Sequence, residues 1–287
     1  MPLVSTGELV SAAQARGHGI AAFNVITLEH AEAIAAGAER AGAPAILQIS
    51  ENAVKFHGGR LAPIAAAAAA VARTSGAPLA LHLDHVESVD LLHRAHDEGF
   101  GSVMFDASKL SYEENVRTTA AAVAWGHERG VWIEAELGKV GGKEGEAPLD
   151  AHAPGVRTDP AEAAAYVRAT GVDALAVAVG SSHAMTERTA ALDHELIGRL
   201  RDAVPVPLVL HGSSGVPDEE IRRAVTASGM VKINVGTALN TAFTGAVRAH
   251  LAENTTGVDP RKYIAPGREA MADVIHHFLG LVSGTTR

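Results

Sequence analysis

Cysteine is absent from the 287 residues of this chain. That excludes a disulfide framework and all thiolate chemistry, so any bound metal must rely on imidazole and carboxylate. Aromatic residues are scarce, at 4% against 47% for all hydrophobic residues, so the large core that this length permits must be built from Ala, Val, Leu and Ile. Long uninterrupted apolar runs are missing as well. The Ala-rich stretches are broken by charge too often to span a membrane, and Met1-Pro2-Leu3-Val4-Ser5-Thr6 shows no basic region ahead of an apolar one. These absences predict a soluble, cytoplasmic protein. Positive charge is in deficit, with a formal net charge of -9, which argues against a nucleic-acid partner that would need a basic face. An anionic small ligand would have to be bound by local groups.

What is present is alternation. Short β-like apolar runs at 20–25, 44–49, 78–84, 102–106, 131–137, 173–179, 207–211 and 230–235 are separated by helical stretches at 27–41, 62–74, 88–98, 111–128, 160–170, 193–203, 218–227 and 237–252. Eight strands each followed by a helix, with no dividing linker, predict a single-domain α/β fold of the (β/α)8 TIM-barrel type, with a C-terminal helical extension at about 260–287. The Ala65-to-Ala70 run reads as a helix of high propensity.

In such a barrel the working residues gather at the carboxyl ends of the strands. Three histidines stand there, His85, His183 and His211, each where an apolar run stops. Neutral imidazoles converging from separate strand ends, with a fourth position open, are how a catalytic zinc is held. Asp84, Asp106 and Asn234 also end strands. Glu134 and Glu136, spaced by two, share one face of strand five. Buried together they require a cation, for which the candidates are Lys232, Lys139 or a second metal shared with Asp106. Two glycine-rich segments, His211-Gly212-Ser213-Ser214-Gly215 after strand seven and Asn234-Val235-Gly236-Thr237 after strand eight, predict a phosphate site beside a helix start.

Taken in order, the segments Ala22-Phe23-Asn24, His82-Leu83-Asp84-His85, Ser102-Val103-Met104-Phe105-Asp106, Glu134-Ala135-Glu136-Leu137-Gly138, Gly141-Gly142-Lys143-Glu144, His211 to Gly215, Lys232 to Thr237 and Asp259-Pro260-Arg261-Lys262-Tyr263 give the chain a clear likeness. It resembles the class II, metal-dependent ketose-bisphosphate aldolases of the fructose-1,6-bisphosphate and tagatose-1,6-bisphosphate type. The resemblance implies a glycolysis-type lyase that splits such a sugar into dihydroxyacetone phosphate and glyceraldehyde 3-phosphate.

It also implies roles. His85, His183 and His211 would hold the catalytic Zn2+, with Asp106 and Glu136 available to a second or displaced metal. Asp84 would exchange a proton with the C4 oxygen, and Glu144, in a loop loosened by Gly141, Gly142 and Gly145, would take a proton from the bound triose phosphate. Gly212, Ser213, Ser214, Asn234, Val235, Gly236 and Thr237 would form the phosphate pocket, with a monovalent cation (Na+ or K+) beside it. Asn24 and Ala184 would contact substrate, Arg268 would meet the distal phosphate, and the chain would form a homodimer or homotetramer. The chemistry is coherent: breaking a C–C bond next to a carbonyl passes through an enediolate whose charge a divalent ion stabilises, and the departing alcohol needs an acid/base of its own.

The chain departs from the pattern in places. After His183 the family usually continues Gly-x-Tyr, where this chain has Ala184-Met185-Thr186, and an L-residue keeps the backbone contact made there if its φ stays negative. Gly145 follows Glu144 where an acidic residue is common, and Gly236 is a further change. A related phosphorylated or sulfonated ketose is an alternative substrate. A zinc hydrolase would carry His-x-His on strand one, which reads Ile20-Ala21-Ala22-Phe23-Asn24-Val25 instead. A Schiff-base aldolase would need Lys232 in an apolar pocket. A non-catalytic sugar-phosphate sensor would not need Asp84 and Glu144.

Overall fold

All eight apolar runs form strands, rich in Val, Ile and Leu and bounded by turn residues. They are β1 (Ile20–Asn24), β2 (Ala45–Ser50), β3 (Leu79–Val86), β4 (Ser102–Phe105), β5 (Trp132–Leu137), β6 (Ala174–Val177), β7 (Leu208–Leu210) and β8 (Met230–Val235). The computed structural model describes residues 3–138, 140–141 and 156–283. Sequence neighbours pair in parallel, and β8 pairs with β1, closing the expected barrel.

The helices on the outside are α2 (Leu28–Ala41), α4 (Leu61–Thr74), α5 (Val89–Asp97), α6 (Tyr112–His127), α7 (Pro160–Thr170), α8 (His194–Ala203), α9 (Asp218–Arg223), α10 (Thr237–Glu253) and α11 (Pro260–Val282). Their starts follow from capping. Ser88 and Asp193 accept from the backbone N–H groups of Leu91 and Leu196, Ser111 and Glu114 form a reciprocal box, and Asp159 and Asp259 each precede a proline at the first helical position. The stretch expected at 218–227 is α9 continued by one π turn, Ala224–Ser228. Among the described residues no helix is long and apolar enough to cross a membrane.

The two faces of each strand serve different ends. Outward residues such as Phe23, Leu47, Leu83, Ile133, Leu175 and Ile233 merge with the helices into one large apolar cluster. Inward residues at the floor of the barrel are apolar, and Ile20, Ala22, Ile46 and Ala80 pack there against Val10 and Ala13. Those last two belong to α1 (Thr6–Ala15), a helix that plugs the floor and that strand-by-strand reading misses. Its signal is the Ser5-x-x-Glu8 cap, in which the Ser5 hydroxyl accepts from the Glu8 N–H. Other inward positions are polar, with His82, Glu134 and Lys232 fully buried. A second missed helix, α3 (Glu51–Phe56), stands at the barrel mouth after β2. Ser50 caps it and Gly58-Gly59, both at positive φ, stop it.

Candidate active site and metal centre

The carboxyl ends of the strands surround a cavity of about 760 Å³. Adjacent residues of a strand normally face opposite ways. Asp84 and His85 nonetheless both line this cavity, because His85 adopts φ 50 and the pairing of β3 with β4 shifts between Leu83 and Val86. Left-handed backbone in a residue with a Cβ is costly and concentrates at functional positions.

His183 and His211 come to His85 from the ends of β6 and β7. The ring centroids lie 5.0 Å apart for His85–His183, 4.8 Å for His85–His211 and 5.6 Å for His183–His211. Glu136, inward on β5, completes the group: one ligand atom from each of His85, Glu136, His183 and His211 lies within 4.8 Å of the others. Ser181 donates to the His211 carbonyl at 2.7 Å and the His183 N–H to the Gly141 carbonyl at 2.7 Å, which ties the segment after β6 to those after β7 and β5.

Three imidazoles and one carboxylate are a donor set suited to zinc, and the hydrogen bonds leave the right atoms for it. His85 Nδ1 is engaged by Asp106 Oδ2 at 2.7 Å, leaving Nε2. His211 Nε2 is engaged by Glu134 Oε1 at 3.1 Å, leaving Nδ1 to face the Glu136 carboxylate, whose Oε2 lies 3.0 Å away. The residues therefore fit the metal. Asp106 stands outside the group of four: it orients His85 and accepts from the Ser108 N–H and hydroxyl.

Glu134 and Glu136 share one face as their spacing requires, and that face is the buried interior of the barrel, where the cation beside Glu134 is Lys232, at 2.8 Å. Lys139 lies outside the described residues. Burial alone would raise the Asp84 pKa, but the His85, His211 and Lys232 charges facing it hold the carboxyl below its ordinary value. Its Oδ2 lies 3.9 Å from His85 Nε2, so an ionised carboxylate stands beside the candidate metal ligands.

The whole chain carries the same signature. The sequence profile of the family described as class II fructose-bisphosphate aldolase matches residues 4–286. The chain belongs to this family. Among solved structures, the YdjI aldolase of Escherichia coli K12 is similar at 31% identity with a TM-score of 0.80, over 98% of this chain and 97% of that one. A fructose-bisphosphate aldolase of Campylobacter jejuni is similar at 25% identity with a TM-score of 0.79, over 98% and 95%. Membership in the class II aldolases replaces the hydrolase and Schiff-base readings, and the ion pair that Lys232 makes with Glu134 ties up the amine that the latter would need.

Other residues expected of a class II aldolase fall into place unevenly. Gly212 holds φ 69, and a Cβ there would strike the Ser182 carbonyl, so the turn after β7 requires glycine. Ser214 lines the cavity and its hydroxyl accepts from the Gly236 and Ala238 N–H groups at 3.3 and 3.1 Å, fastening the β7 loop to the start of α10. Ser213 is buried instead, donating to the Asn234 carbonyl at 2.5 Å, and Val235 has its side chain in the outer core. Among the described residues neither amide atom of Asn234 has a hydrogen-bond partner, and Asn24, Gly236 and Thr237 line the same wall. Glu144 lies outside the described residues.

Arg268 is not at the cavity. It lies on α11 and pairs with Glu32 of α2 at 2.5 Å. Among the described residues the lysines that line the cavity are Lys55 of α3 and Lys109 after β4, which sequence reading missed along with Gln48, Asn52 and Asn240. Ala184, finally, adopts φ 57, so the condition of negative φ set by its sequence position is not met. Ala184→Gly is expected to raise stability by up to about 1 kcal/mol, the relief of left-handed strain being partly offset by a more flexible unfolded chain. Urea unfolding checks this, and a loss of stability would show that the methyl packs usefully.

Proposed function

We propose that the protein is a zinc-dependent class II aldolase that reversibly cleaves fructose or tagatose 1,6-bisphosphate to dihydroxyacetone phosphate and glyceraldehyde 3-phosphate. The observation that carries this reading is the four-residue group of His85, Glu136, His183 and His211 with the Asp84 carboxylate at its edge. A zinc ion held by His85, His183 and His211 would supply the electrophile that stabilises negative charge developing on the ketose carbonyl. Asp84, kept ionised by its neighbours, takes the proton of the C4 hydroxyl as the C3–C4 bond breaks, and returns it in the condensation direction. The wall formed by Asn234, Gly236 and Thr237 at the start of α10 receives the phosphate of the triose half through amide and backbone donors. Lys55 and Lys109 stand at the part of the mouth nearer β2 and β4, where they suit the distal phosphate. Glu144 fits the proton abstraction from the triose phosphate.

Triose phosphate release from each bisphosphate, with zinc and after chelation, tests this reading. Chelator-sensitive cleavage is expected, with the ratio of the two rates giving the C4 preference. No cleavage of either sugar by zinc-loaded protein would favour a different phosphorylated ketose or a sensor.

A further inference from the structure

Below the four-residue group the barrel interior holds charges that the cleavage chemistry does not use. Glu134 on β5 reaches Lys232 on β8 through Oε2 at 2.8 Å and His211 through Oε1 at 3.1 Å, and all three side chains have no solvent exposure. His82 approaches Glu134 Oε2 only to 4.0 Å, too far for a hydrogen bond. Desolvating two opposite charges is costly, and apolar residues of similar volume commonly serve stability as well or better. The barrel interior uses that cheaper solution alongside, at Ala174, Ala176 and Val209.

The pair does something that apolar residues cannot. Carboxylates face both nitrogens of His211, Glu134 at 3.1 Å from Nε2 and Glu136 at 3.0 Å from Nδ1; once a metal takes Nδ1, the one proton left on the neutral ring belongs on Nε2, where Glu134 can only accept it. Nδ1 is the atom of His211 beside the Glu136 ligand oxygen. Lys232 supplies the positive charge and the fixed contact that keep Glu134 in that position from across the barrel. We propose that Glu134, anchored by Lys232, is a positioning residue that sets the tautomer and ring orientation of His211 for metal binding. The inference rests on the metal-dependent reading above.

The test compares wild type with Glu134→Gln, Lys232→Met and the double variant. Each is measured for zinc affinity by chelator competition, for the melting temperature of the metal-free protein, and for the visible spectrum after loading with cobalt. Glu134→Gln is expected to lose about 10- to 100-fold in zinc affinity and to alter the cobalt spectrum, because its amide can donate as well as accept. Lys232→Met leaves a buried carboxylate without its cation and should lower the metal-free melting temperature. The double variant has no buried charge at either position. It should recover that temperature while keeping the affinity loss and the altered spectrum. Should Lys232→Met fail to fold, the Glu134→Gln and double variants carry the comparison. A double variant with wild-type zinc affinity and cobalt spectrum would overturn the inference and leave the pair a structural element. Wild type that binds no zinc would overturn the metal-dependent reading itself, and this inference with it.

Discussion

Replacing His211 with alanine is expected to abolish metal-dependent cleavage and to reduce zinc affinity by well over the roughly 100-fold that losing an outer hydrogen bond costs. The effect is large because His211 stands at the junction of two networks, with Glu136 on one nitrogen and Glu134 on the other. Removing the ring leaves both buried carboxylates without that partner, so the metal-free variant should also lose about 3 kcal/mol of stability. Metal content and triose phosphate release measure the first effect, urea unfolding the second. Full activity in a metal-depleted variant would end the zinc mechanism.

A pH dependence accompanies it. Burial tends to lower the His211 pKa, but the two glutamates overcome it and push the value up to about 9 in the metal-free protein. The folded value therefore lies above the unfolded one of about 6.5. Protonated His211 stabilises the metal-free fold fully below pH 6.5, and that contribution is lost as the pH rises through 9. Zinc competes with this proton. The gain in melting temperature on adding zinc should thus grow from pH 6.5 toward 9, and a gain that shrinks over that range would place the metal elsewhere.

Asp84→Asn is expected to separate chemistry from metal binding. The carboxylate is no member of the ligand group, and its Oδ2 stands 3.9 Å from His85 Nε2, so zinc content should be retained. Cleavage should fall by about 10²- to 10⁴-fold, the usual contribution of a positioned general base. Unchanged cleavage in a zinc-loaded variant would move the proton transfer to another group.

The histidines and the inward glutamates were legible in the sequence because each depends on one strand alone: a residue where an apolar run stops, or two residues in phase on one face. What depended on two strands was not. Lys232 could be named as a partner of the glutamates, but only barrel closure shows that its amine meets Glu134. Glu136 and Asp106 looked alike until His85 Nδ1 proved to be occupied by Asp106. Arg268 sits in the expected order of motifs, yet α11 directs it to Glu32 rather than to the cavity. Lys55 was missed because its helix, α3, has only six residues, too few to show an apolar period.

The backbone turn at His85 sets a limit on how this chain can change. Asp84 and His85 act from consecutive positions only because the strand breaks its alternation between them, so the proton-transferring group and a metal ligand are fixed by one local geometry. One residue gained or lost within β3 ahead of Asp84 would reverse the phase of both. Variation in β3 can therefore run through the identity of its outward side chains, Leu81 and Leu83, but not through the length of the strand.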